Sequence, residues 1–139
     1  DPTIRVIDTA TWTVVGVMQG HTMDVKHMVV WEGKLISCSY DHTIRVWSTE
    51  EGRECQQTLQ GHTRRVNTMA VLGNKLVTGS GDESLRVWGM RRGAEAWECE
   101  RVLEDQTAEV TAVTCTRDGR RLLTCDGAQQ MKVWEEVAP

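Results

Sequence analysis

The segment Met18-Gln-Gly-His-Thr-Met-Asp-Val25 returns 41 residues later as Leu59-Gln-Gly-His-Thr-Arg-Arg-Val66, and after another 44, more weakly, as Leu103-Glu-Asp-Gln-Thr-Ala-Glu-Val110. Downstream, Leu35-Ile-Ser-Cys-Ser-Tyr-Asp-His-Thr-Ile-Arg-Val-Trp47 matches Leu76-Val-Thr-Gly-Ser-Gly-Asp-Glu-Ser-Leu-Arg-Val-Trp88 without a gap. Leu122-Leu-Thr-Cys-Asp-Gly-Ala-Gln-Gln-Met-Lys-Val-Trp134 fits the same frame, and a partial copy, Asp1-Pro-Thr-Ile-Arg-Val-Ile-Asp8, opens the chain. A fixed period in this range means one supersecondary unit stacked repeatedly, because a single unit cannot bury its own apolar face.

The units read as β-structure. Val, Ile and Thr number 17, 4 and 16 against 8 Leu, and branched hydrocarbon at Cβ packs well on a pleated sheet. Val25–Val30 and Lys34–Ser39 flank Glu32-Gly33, while Val66–Val71 and Lys75–Ser80 flank Gly73-Asn74. Gly and Asn tolerate positive φ, so both pairs are tight hairpin signals. In the third copy Thr116–Arg121 lengthens that loop by two. A turn carrying Asp follows, then a strand ending in Trp, then an outer strand such as Trp12–Met18 or Glu54–Leu59. Four sequential strands per repeat build one propeller blade.

The repeat resembles the WD40 family over essentially the whole chain. Gly-His precedes the turn Asp by 20 residues in both good copies (His21 to Asp41, His62 to Asp82), and Trp follows that Asp by six. The departures are the residues after Trp, which are Ser48, Gly89 and Glu135, with Asp surviving as Asp8 after Ile7. In the third copy Asp105-Gln106 replaces Gly-His and Ala128 replaces the turn Asp. The expected fold is therefore an all-β, incomplete propeller with blades of four antiparallel strands. Its repeats run approximately 1–19 (partial), 20–60, 61–103 and 104–139. In blade terms the chain supplies two, four, four and three strands, too few to close a ring of the usual four to eight blades. Beginning inside a blade at Asp1-Pro2 favours truncation, with the propeller completed by missing sequence or by self-association.

The resemblance assigns His21, Ser37 or Ser39, Asp41 and Trp47, and again His62, Thr78 or Ser80, Asp82 and Trp88, to the family's structural tetrad, with Trp134 as the third Trp. The same residue types suggest a Ser-His-Asp nucleophile. One catalytic site does not require two copies, so a buried hydrogen-bonded chain is the stronger reading. No catalytic residue is assigned. The third copy, lacking His and Asp, is expected to be the softest.

Five Cys at 38, 55, 99, 115 and 125 form no CxxC pair, and with four His they match no zinc spacing, so no metal or cofactor is expected. They read as reduced thiols lining the core, with Cys38 and Cys125 as small fillers at the position where Gly79 stands in the second copy. Trp12 and Trp97 fall in outer strands, as partner contacts or as packing. Arg5, Arg45, Arg86 and Lys132 recur opposite the apolar residues of each third strand, as a solvated stripe or as cations paired with carboxylates. Arg64, Arg65, Arg91, Arg92, Arg117, Arg120 and Arg121 vary between copies and lie in loops, where scaffolds place function. They are the candidate partner-binding residues, for an acidic or phosphorylated peptide.

A net charge of −4 gives no global positive field, so nucleic acid is not expected. No run approaches eighteen apolar residues, so no membrane helix is expected. The resemblance implies an intracellular (cytoplasmic or nuclear), non-catalytic scaffold for protein–protein interaction in a multi-subunit assembly. The alternative is the propeller portion of a multidomain enzyme, such as a ubiquitin-ligase substrate receptor or protein kinase.

Overall fold

A computed structural model describes residues 2–50, 52–91, 93, 96–104 and 106–135. Among them there is no helix. Thirteen strands form four antiparallel meanders. The first sheet pairs β1 (Ile4–Asp8) with β2 (Thr13–Met18). The second runs β3 (Val25–Trp31), β4 (Lys34–Ser39), β5 (Ile44–Ser48) and β6 (Cys55–Leu59). The third runs β7 (Val66–Leu72), β8 (Lys75–Ser80), β9 (Leu85–Arg91) and β10 (Ala96–Leu103). The fourth holds β11 (Val110–Cys115), β12 (Arg121–Asp126) and β13 (Met131–Glu135). The strand distribution is the one the repeat predicts, and the sheets do not close on one another.

Local chemistry explains the turns. Glu32 and Gly33 take positive φ at 45° and 75°, matching the right-handed twist of the strands they join. His42, Glu83 and Gln129 share a left-handed conformation at one position in three copies, at φ of 76°, 67° and 64°. Side-chain caps offset its strain. Asp41 Oδ1 accepts the Thr43 amide and hydroxyl, and Asp82 Oδ1 accepts those of Ser84. In the fourth sheet Asp126 takes over, accepting the amides of Ala128 and Gln130.

The sheets stack face to face. One apolar cluster joins the second and third through Ile36, Ile44, Val46, Leu59, Met69 and Trp97; another joins the third and fourth through Val77, Leu85, Val110, Val113 and Leu122. Inner strands are also bridged by polar contacts: the Met69 amide donates to His27 Nδ1 at 3.2 Å, and the Val113 amide donates to Thr68 Oγ1 at 3.1 Å. Gly79 sits where a Cβ would stand 2.5 Å from Val110 Cγ1, so the third and fourth sheets approach too closely for any side chain there.

Several expectations need correction. Trp12 lies in the β1–β2 turn at φ 58° and 77% exposure, so β2 starts one residue later. Trp97, which the sequence leaves open between partner contact and packing, is buried and packs in the core between sheets. Of the cysteines only Cys38 is fully buried; Cys55, Cys99, Cys115 and Cys125 are half-buried, and all five are free thiols. Burial pushes the Cys38 thiol up to about 12.

Candidate functional site

In the second sheet β4 and β5 are paired with Ser37 opposite Arg45 and Leu35 opposite Trp47, and the loop after β2 brings His21 over them. Trp47 Nε1 donates to Ser37 Oγ at 2.8 Å; Ser37 Oγ lies 2.7 Å from His21 Nε2; His21 Nδ1 lies 2.8 Å from Asp41 Oδ2. An indole only donates and a carboxylate only accepts. The imidazole proton therefore sits on Nδ1, and the serine hydroxyl donates to Nε2. The third sheet repeats the chain as Trp88–Thr78–His62–Asp82 at 2.9, 2.8 and 2.8 Å. Ser39 and Ser80 stand outside it. Their hydroxyls reach the carbonyls of Met23 and Arg65 and accept the amides of Asp41 and Asp82, tying the turns to the preceding loops.

The electrostatics match this assignment. Burial pushes the His21 imidazole below its ordinary value, against the opposing pull of Asp41. Burial alone would raise Asp41, but hydrogen bonds from Thr43, His21 and the Thr22 amide bring it down to about 2. Asp82 is lowered well below the carboxylate range in the same way, with His62 and Ser84 outweighing desolvation.

A Ser–His–Asp set at these distances has the geometry of an activated nucleophile. Ser37 and Thr78 nonetheless lie at 0% exposure on interior strands, and each hydroxyl oxygen already accepts an indole N–H. Substrate has no approach to either. The fourth sheet keeps a remnant: Trp134 Nε1 donates to Thr124 Oγ1 at 3.2 Å, and buried Gln106 has an Nε2 with no partner.

Of the recurrent cations, Arg5 is exposed, whereas Arg45 and Arg86 are not part of a solvated stripe. Arg45 and Arg86 fold back over the loops, their Nη1 atoms 3.5 Å from the Sγ of Cys55 and Cys99. A Cβ on Gly20 or Gly61 would stand 2.7 or 2.6 Å from the same guanidinium nitrogens. The guanidinium tip is the flexible end of its side chain and can yield, so the firmer constraint lies at Gly61, whose φ of 154° is one that L side chains rarely adopt.

The candidate loop arginines do not form one patch. Arg64 and Arg65 precede β7, at the end of the sheets where the Gly-His loops and the β4–β5 and β8–β9 turns gather. Arg91 ends β9, and Arg117, Arg120 and Arg121 belong to the β11–β12 hairpin, both at the opposite end. Arg92 lies outside the described residues. Arg121 is held by Glu135 at 3.0 Å.

At the Gly-His end, Met23, Tyr40, His42, Thr63, Arg64, Arg65 and Glu109 line an open groove. The Tyr40 ring carries Lys26 Nζ 4.9 Å and Arg65 Cζ 5.4 Å from its centroid, which is cation–π range. Arg65 is spoken for: its Nε and an Nη each donate to Glu109 at 2.7 Å, and Asn67 donates to the same carboxylate. Arg64 makes no contact ion pair among the described residues, although its charge also acts on Glu109. Sequence reasoning found the arginines but missed Tyr40. Its signal was there, as the chain's single tyrosine standing where the second good copy has Gly81. No group of three or more His, Cys, Asp or Glu able to hold a metal occurs among the described residues, nor does any helix long and apolar enough to cross a membrane.

Comparison with known proteins matches the model of the WD domain, G-beta repeat, at residues 12–48, 53–89 and 97–135. Each match opens at an outer-strand segment and runs through the following three strands. The chain is also similar to an uncharacterized WD repeat-containing protein of Schizosaccharomyces pombe, 46% identical over 50 residues, or 36% of this chain and 14% of that protein.

Proposed function

Because this chain belongs to the WD40 repeat family, whose domains serve generally as protein-interaction scaffolds, we propose that it binds an acidic or phosphorylated peptide in the groove at the Gly-His end. The observation that carries this reading is Arg64, which makes no contact ion pair among the described residues, on the rim beside a tyrosine stacked with two cations. An extended peptide can lay an apolar residue on Met23 and Tyr40 and place its carboxylate or phosphate on Arg64, a charge-assisted contact of the stronger kind. The repeated Trp–hydroxyl–His–Asp chains give the loops a rigid base, and a non-catalytic role in an assembly fits that division of labour.

An array of acidic and phosphorylated peptides tests the reading. Peptides retained by the chain should be lost on Arg64→Glu and weakened by Tyr40→Ala, with thermal melts unchanged for Arg64→Glu. Retention indifferent to both substitutions would remove the groove as the binding site.

A further inference from the structure

β3, β7 and β11 are the first strands of their sheets and pair on one side only, with β4, β8 and β12. Backbone amides along their inner edges need acceptors, and the preceding sheet supplies one to β7 and one to β11. The buried Met69 amide donates to His27 Nδ1 at 3.2 Å, and the buried Val113 amide donates to Thr68 Oγ1 at 3.1 Å. His27 lies opposite Cys38 and Thr68 opposite Gly79, so the two acceptors hold the same position in successive copies.

The two struts differ in one chemical respect. A threonine hydroxyl keeps its acceptor lone pairs whatever the pH, whereas an imidazole nitrogen accepts only while it carries no proton. A backbone N–H can only donate, so Nδ1 is the bare nitrogen of His27 and the ring proton stands on Nε2. Of the strands packed against β3, β7 carries no titratable residue, and β4 carries Lys34 at its far end and Cys38, whose thiol burial pushes up to about 12. Cys38 therefore stays a neutral thiol. β1, whose charged residues are Arg5 and Asp8, meets the opposite face of β3 beside Met28 and Val30. Asp24 precedes the strand by one residue, Lys26 lies over the Tyr40 ring, and Asp41 in the next turn is held by His21. His27 makes no contact ion pair among the described residues, so no carboxylate in contact compensates an imidazolium there.

We propose that His27 is a proton-sensitive strut between the second and third sheets. With Nδ1 bare, it takes the Met69 amide and closes the inner end of the interface. A proton taken up from solvent at Nδ1 leaves no lone pair there, sets two donors against each other and strands the Met69 amide in a buried position. The contact then parts, while the Thr68 strut one interface on is indifferent to acid. The release is local, because β7 keeps its ladder to β8 and the apolar cluster around Trp97 holds the same interface farther out. Acid thereby acts on the seam whose two sheets carry walls of the Gly-His groove, although the inference rests on the strut and not on what the groove binds.

The test is nuclear magnetic resonance on the whole chain between about pH 7.5 and 5.5, the span in which histidines titrate. At the upper end the His27 ring should be the Nε2–H tautomer, and the Met69 amide shift should move with the same midpoint as that ring. Amide-exchange protection, corrected for the intrinsic effect of pH, should fall about tenfold or more at Met69 and stay level at Val113, since only the Met69 amide loses its acceptor. His27→Thr, which copies the acid-indifferent strut, should hold the Met69 protection level across the same span. A neutral ring protonated at Nδ1, a Met69 shift that ignores the His27 titration, or protection that falls equally at Met69 and Val113 would overturn the proposal. So would a fall at Met69 that persists in His27→Thr.

Discussion

Gln57 and Trp97 sit in different sheets, yet the Gln57 carboxamide meets the Trp97 backbone at two points: Nε2 donates to the carbonyl at 2.7 Å and Oε1 accepts the amide at 2.9 Å. A side chain thereby reproduces a β-bridge between blades and fixes the register in which Trp97 packs on Trp31. Gln57→Ala should cost about 1–3 kcal/mol, as two half-buried backbone groups lose their partners. Denaturant unfolding checks it, and an unchanged midpoint would mean that packing alone positions Trp97.

Acid should weaken the fold in two stages. A folded imidazole held below its ordinary value of 6.5 binds fewer protons than the unfolded one, so the contribution of His21 is complete above that pH and lost as pH falls through its folded value. The Asp41 carboxylate, drawn from 3.8 to about 2, contributes fully above pH 4 and loses that contribution on the way to pH 2. Melts between pH 7 and 2 should fall throughout, and Asp41→Asn should flatten the lower limb. Stability that rises on acidification would contradict both protonation states.

The fourth sheet should be the softest of those with three or more strands. Buried Gln106 leaves its Nε2 without a partner and Ala128 cannot replace the turn carboxylate, so Trp134 and Thr124 keep only one link of the chain. Amide exchange should be faster across 110–134 than across β7–β9. Gln106→His combined with Ala128→Asp should raise the melting temperature. Exchange faster in the third sheet than in the fourth would reverse the ranking.

How much of this the sequence carries depends on whether a feature repeats. The strand count, hairpins and His–Asp pairs recur at fixed spacing, so they stand out from a single chain; the choice of Ser37 over Ser39, and Thr78 over Ser80, does not, because both hydroxyls lie on the same strand face and only the indole Nε1 selects between them. Tertiary contacts made once are the least legible. Gln57 is replaced by Arg101 in the next copy, so no pattern marks it as a clamp. Trp97 is ambiguous between partner contact and packing until the neighbouring Trp31 is seen beneath it. The buried guanidinium contacts of Arg45 and Arg86 were hidden for a different reason: strand alternation gives the face of a side chain but not whether a long one folds back onto a glycine.

The central claim is that the histidine–aspartate pairs hold the blades together and leave partner binding to the loops, and a double-mutant cycle on His62 and Asp82 tests it most directly. His62→Ala alone should cost about 1–3 kcal/mol, since Asp82 and Thr78 lose a buried partner. Unfolding of His62→Ala, Asp82→Ala and the double variant should give a coupling of about 1 kcal/mol or more, within the range for residues sharing one buried network. Coupling indistinguishable from zero, with the stability of all three variants near that of the parent, would contradict the account and return both residues to the list of candidates for function.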